Sequence, residues 1–196
     1  MKTDIVLGGV GGQGILSIAA IIGTAAVNQG LYLKQSEVHG MSQRGGDVMS
    51  NLRISSEEVF SDLIPQGKAD IVIGVEPMEA LRHLPMLKPD GWLVTNLKPY
   101  VNIPDYPDIE KVHADIRKIK NHVLIDADNI AKEAGNARAS NVVMLGAATP
   151  FLGIDQKAIE QAIEAIFGRK GADVVELNIK ALHAGIAEAQ KVLDKQ

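Results

Sequence analysis

Two glycine-containing stretches carry the residue types that could do chemistry. Gly9-Val10-Gly11-Gly12-Gln13-Gly14 fits the spacing G-x-G-x-x-G. Glycines there let a backbone turn sharply and approach a ligand, while unpaired N–H groups and the dipole at a helix start favour an anion. The loop is competent to hold a phosphate or a carboxylate. The second stretch, Ser36 to Asp47, contains Glu37, His39, Gln43 and Arg44 among three glycines. Glu37 is an acceptor, His39 a donor or proton carrier near neutral pH, and Arg44 a bidentate partner for a carboxylate or phosphate.

Elements must position these groups. Asp4 to Leu7 is a strand-like apolar run, and the Ala/Ile-rich segment from Ile15 to Asn28, with Gly30 just beyond, has the composition of a helix with a glycine stop. The first glycine loop therefore joins a strand to a helix. Leu31 to Gln35 is a second strand candidate, Ser36 to Gly46 is expected as loop, and Val48 to Ile54 alternates like a half-exposed strand. Asp70 to Val75, Gly91 to Asn96 and His122 to Ile125 are further strands, with helices expected at Glu76 to Leu84 and Asp128 to Ala134. Asn102 to Pro107 is a proline-containing surface loop.

The C-terminal third is helical by its spacing. One apolar stripe runs from Ala158 to Phe167, with Asp155 as its expected N-cap, and a second from Val175 to Leu193. Strands that are apolar throughout suit a parallel sheet covered by helices on both faces. The expected fold is a single α/β domain over residues 1–196, a Rossmann-like three-layer sandwich with a mostly parallel sheet.

Composition narrows the function. The 196 residues include 20 Lys or Arg and 24 Asp or Glu, a net charge of −4, and the pI is about 5.7. That balance gives no general attraction to a phosphate backbone, so no nucleic-acid partner is expected. No run is long and apolar enough to span a membrane, and no signal segment opens the sequence, so a soluble cytoplasmic protein is expected. There is no Cys. This removes disulfides, thiol nucleophiles and cysteine-ligated clusters from the chain. His39, His83, His113, His122 and His183 show no H-x-x-x-H spacing, so no metal site is expected.

The ligand of the glycine loop stays open on residues alone. A dinucleotide site needs an acid about 20 residues on, at the end of the second strand. Glu37, 23 residues after Gly14, is the nearest and falls in the expected loop. Another phosphate-bearing ligand and a purely structural strand-to-helix turn are the alternatives.

Gly8 to Gly14 together with Ser36 to Gly46 resemble the gamma-type domain of 2-oxoacid:ferredoxin oxidoreductases, and within that group the small subunit of the indolepyruvate type. Glu76 to Arg82, Leu63-Ile64-Pro65, Asp126 to Ala131 and Asn141 to Gly146 support the likeness, which covers nearly the whole chain. The resemblance implies a complex that oxidatively decarboxylates an aryl 2-oxoacid with coenzyme A as co-substrate and reduces ferredoxin. It places thiamine diphosphate, Mg and 4Fe-4S clusters on a large alpha subunit. This agrees with the absence of Cys and of a thiamine diphosphate motif, to which Gly46-Asp47-Val48 is the nearest approach. No catalytic residue is expected on this chain. Gly9, Gly11, Gly12, Gln13 and Gly14 are candidate cofactor-binding residues, and Glu37, His39, Gln43 and Arg44 a loop facing substrate or partner. The rivals are a gamma subunit of a pyruvate or 2-oxoglutarate enzyme, a free-standing NAD(P)-binding oxidoreductase, and a non-catalytic assembly module.

Overall fold

The apolar run near the N-terminus becomes a strand buried from Thr3 to its end, β1 (Lys2–Val10), around which the molecule is built. A computed structural model describes residues 1–40 and 45–195. Beyond β1 these residues form α1 (Ile15–Asn28), β2 (Tyr32–His39), β3 (Asp47–Ser55), β4 (Ala69–Gly74), α2 (Pro77–Arg82), β5 (Leu87–Asn96) and α3 (Ile109–Arg117). They continue as β6 (His122–Ile125), α4 (Ala127–Glu133), α5 (Ser140–Ala148), α6 (Gln156–Phe167) and α7 (Ala172–Leu193). The strands lie side by side in the order β2-β3-β1-β4-β5-β6.

β1, β4, β5 and β6 pair in parallel, and β3 runs antiparallel to both β1 and β2. The mostly parallel α/β sandwich expected from the sequence is therefore present, with one reversed strand inserted between β1 and β2. On one face, Ile5 and Leu7 of β1 pack with α1, α4, α5, α6 and α7 in the larger core. On the other, Val6 packs with Ala80 of α2 and with Val112 and Ile116 of α3. Each fully buried aliphatic side chain contributes about 1.5–3 kcal/mol. The alternation along β1 thus commits it to two separate cores.

Several boundaries differ from the sequence expectation. The stretch Ser36 to His39 is strand rather than loop, because β2 pairs with β3 in continuous register from Tyr32 opposite Ser55 to His39 opposite Val48. Two further helices, α3 and α5, lie in segments for which the sequence expectation includes no helix. α5 has seven consecutive buried residues, Val142 to Ala148, so it presents no polar stripe from which a helical period can be read. Asp155 is the N-cap residue of α6, yet its side chain makes no cap hydrogen bond. Its Oδ2 instead accepts from Gln29 Nε2 at 2.9 Å, tying α6 to the end of α1.

Candidate functional site

The turn between β1 and α1 is held by specific contacts. Gly12 and Gly14 have φ of 104° and 78°, in the left-handed region that glycine favours. At Gly14 a Cβ would also lie 2.5 Å from Asn141 Nδ2, and that amide donates to the Gly14 carbonyl at 3.3 Å. The first turn of α5 therefore presses on the glycine loop. Gly9 lies within β1, where a Cβ would lie 2.8 Å from Ile15 Cδ1 and 3.0 Å from Gln13 Oε1. Gln13 Oε1 accepts from the Val10 N–H at 2.8 Å, so this side chain braces the loop from within. The Gly11 N–H donates to the Gly46 carbonyl at 2.9 Å, binding the glycine loop to the entry of β3.

Among the described residues, the N–H groups of Gly12, Gly14, Ile15 and Leu16 have no acceptor. α1 has neither a side-chain cap nor an acid in its first turn. Four N–H donors without a described acceptor and an uncompensated dipole therefore lie together at the start of α1, which is the electrostatic requirement for an anion site.

An open cleft of about 420 Å³ covers that point and is lined by Gly11, Gly12, Gly14, Leu16, Glu37, His39 and Val48, among others. Glu37 and His39 reach it because β2 is a strand to its end. Side chains two apart share a face, and the β2–β3 register sets His39 beside Val48, and Glu37 beside Ser50, on the α1 side. His39 Nδ1 lies 3.2 Å from the Gly40 carbonyl. The structure thus unites Gly11, Gly12 and Gly14 with Glu37 and His39, while Gly9 and Gln13 support the loop. Gln43 and Arg44 lie outside the described residues. Glu37 does not occupy the dinucleotide position: β3 stands between β2 and β1, so the carboxylate is two strands from the glycine loop.

Sequence reasoning overlooked Glu76, which is fully buried at the carboxyl end of β4. Its Oε2 caps α2 by accepting from the Glu79 N–H at 2.8 Å, and its Oε1 accepts from the Tyr106 hydroxyl and from the Tyr100 N–H. Burial, together with the carboxylate beside it, pushes the Tyr106 phenol well above its ordinary range. Asn102 in the same loop donates to the Gly45 carbonyl at 2.6 Å. The capping signal, an acid three residues before Glu79 with Pro77 at the helix start, was present in the sequence.

A second group gathers on the opposite face of the sheet. Asp47, Glu79 and His83 place ligand atoms within 4.8 Å of one another. Burial lowers the proton affinity of His83, against the opposing pull of Asp47. Glu79 is raised by burial, although Arg82 draws it down. A search for paired histidines does not find this cluster. Its signal is Glu79-x-x-x-His83, one helical turn apart.

A doubly wound α/β protein with an anion-competent turn at the carboxyl edge of its sheet is the class these features define. Residues 4–188 match the pyruvate ferredoxin/flavodoxin oxidoreductase family, and the chain belongs to that family. It is 37% identical over 199 residues to the indolepyruvate oxidoreductase subunit IorB of Pyrococcus horikoshii, covering 97% of this chain and 98% of that one. Among solved structures it is similar to pyruvate oxidoreductase subunit PORC from Thermotoga maritima, with 26% identity, a TM-score of 0.73 and coverage of 95% and 96%. It also shares its fold with 31% of the chain of a 2-oxoglutarate:ferredoxin oxidoreductase from Magnetococcus marinus, at a TM-score of 0.77 and 24% identity over 97% of this chain. No described helix is long and apolar enough to cross a membrane.

Proposed function

We propose that this chain is the small subunit of a 2-oxoacid:ferredoxin oxidoreductase that acts on aryl 2-oxoacids of the indolepyruvate type. The complex converts the oxoacid and coenzyme A to the acyl-CoA and carbon dioxide, with reduction of ferredoxin. The observation that carries this reading is the likeness to the Pyrococcus horikoshii subunit, 37% identical over 97% of this chain and 98% of that one. A chain with no Cys cannot ligate an iron–sulfur cluster through thiolates. Asp47, in the nearest approach to a thiamine diphosphate motif, is directed to Glu79 and His83 instead. The residues here do not fit either group, and a large alpha subunit carries thiamine diphosphate, Mg and 4Fe-4S clusters.

The role of this subunit is positioning. The N–H groups at the start of α1, without an acceptor among the described residues, hold a phosphate of coenzyme A, and Gly11, Gly12 and Gly14 let it approach because glycine itself carries no side chain. Glu37 and His39 form the opposite wall of the cleft. Val38, Phe60 and Leu63 are exposed apolar side chains that offer the partner a surface; the segment carrying Leu63 is held to β3 by Arg53, which donates to the Ser61 and Leu63 carbonyls. The inserted β3 disfavours a free-standing NAD(P) enzyme, since it removes the acid from the ribose position.

Affinity purification of the chain from its own cells tests the assignment. A cysteine-rich partner is expected to copurify, with bound thiamine diphosphate, iron, and indolepyruvate-dependent dye reduction that requires coenzyme A. Recovery of a lone chain that binds NAD(P) would overturn it.

A further inference from the structure

Asp47, Glu79 and His83 converge from two elements on the face of the sheet away from the glycine cleft. β3 contributes Asp47 at its first residue, opposite Val10 of β1, and α2 contributes Glu79, with His83 as its C-cap residue. Room for the imidazole depends on Gly8, where a Cβ would lie 2.3 Å from His83 Cδ2. His83 is only 7% exposed, and among the described residues its Nε2 has no hydrogen-bond partner. That nitrogen faces Asp47 Oδ1 at 3.6 Å, too far for a hydrogen bond.

A buried ring nitrogen without a partner and two carboxylates close together are each unfavourable. One cation relieves both. Arg82 already engages Glu79, with Nε 2.8 Å from Oε2 and Nη2 3.4 Å from Oε1. Carboxylate oxygens carry two lone pairs each, so the guanidinium orients Glu79 and leaves it able to ligate. The Asp47 side chain is 47% exposed, which supplies an entry path and space for water ligands.

The geometry points to a divalent transition-metal site formed by Asp47 Oδ, Glu79 Oε and His83 Nε2, with water completing the coordination. Metal–ligand bonds of about 2.0–2.2 Å place neighbouring donors roughly 3–4 Å apart; His83 Nε2 and Asp47 Oδ1 are 3.6 Å apart, and all three donors lie within 4.8 Å of one another. One imidazole with two carboxylates suits Zn²⁺, Mn²⁺ or Fe²⁺. It is a poor set for Cu⁺, which favours sulfur, and for Ca²⁺, which favours an all-oxygen shell. The ion clamps the start of β3 to α2, and the Gly11–Gly46 hydrogen bond joins that clamp to the glycine loop. The site does not depend on the substrate proposed above.

The test uses the full chain, stripped with a chelator and titrated at pH 7.5 with Mn²⁺ and separately with Zn²⁺. Free Mn²⁺ is followed by electron paramagnetic resonance and free Zn²⁺ by a competing chromophoric chelator. The expected result is one ion per chain, a rise in Tm on binding, and at least a tenfold weaker affinity in both Asp47→Asn and His83→Gln. Asp47 is half-exposed, so the Asp47→Asn variant decides the matter should His83→Gln fail to fold. Absence of one-to-one binding, or affinity unchanged in Asp47→Asn, overturns the proposal.

Discussion

The Tyr106 hydroxyl donates to Oε1 of Glu76, a carboxylate fully buried at the end of β4 whose other oxygen caps α2. One acid thereby anchors the 97–108 connection and starts a helix, and that helix carries Glu79 ahead of His83. Replacing Tyr106 with Phe removes one donor from a buried acceptor and should cost about 1–2 kcal/mol. Chemical denaturation with urea measures it, and a change within error in the Tyr106→Phe variant counts against the anchor.

The same pair sets an alkaline dependence. The folded phenol has its pKa raised, first by burial and then by Glu76, so the fold favours the protonated form. Its contribution is fully present below the unfolded value of about 10 and is lost as pH rises towards the folded value. Stability of the wild-type chain should therefore fall above pH 10 more steeply than that of Tyr106→Phe. Parallel slopes in denaturation measured between pH 9 and 11 would contradict this.

Helices α5 and α7 touch through glycine. A Cβ on Gly146 would lie 2.1 Å from the Leu182 carbonyl oxygen, and one on Gly185 would lie 2.0 Å from that of Val143. Backbone cannot yield as a flexible side chain does, so Gly185→Ala must push the helices apart. Overpacking of this kind costs about 1–3 kcal/mol, and a Tm lower by roughly 2–10 °C is expected in differential scanning calorimetry.

Glu37 distinguishes two occupants of the cleft. For a phosphate at the α1 start, removing the carboxylate relieves repulsion across a solvent-filled gap, an effect of about 0.5–1 kcal/mol. Glu37→Gln should then lower the KM for coenzyme A two- to fivefold in the assembled complex. A ribose-binding role predicts the reverse, weaker nucleotide binding, and steady-state kinetics separates the two.

Subunit association should depend on the exposed apolar side chains beside β3. Phe60 is 87% exposed, and a single Ser there removes apolar area without disturbing a core. Phe60→Ser is expected to reduce recovery of the partner in affinity purification severalfold while leaving the Tm of the chain alone unchanged.

The local elements were legible where one residue pattern dictates one structure. The run ending in Gly8-Gly9 is a strand because its residues are buried on both faces, and Ile15 to Asn28 is a helix because its apolar positions line the larger core. The turn between them and its capacity for an anion follow from glycine backbone freedom and unpaired N–H groups, both local properties. Ser36 to His39 went the other way: its polar composition indicates a loop, and only pairing with β3 makes it a strand. α5 carries no readable helical signature because burial on all sides erases amphipathic period.

What the sequence determined by itself was the α/β class, the glycine turn and the exclusion of thiolate chemistry, since each depends on residue type or short-range spacing. Only the tertiary structure decided that Glu37 lies two strands from the glycine loop, that Tyr106 reaches Glu76 across 30 residues, and that Asp47 meets His83. Those meetings depend on strand order and helix packing, which bring distant residues together through the summed burial of many side chains and leave no mark in the spacing of the few that meet.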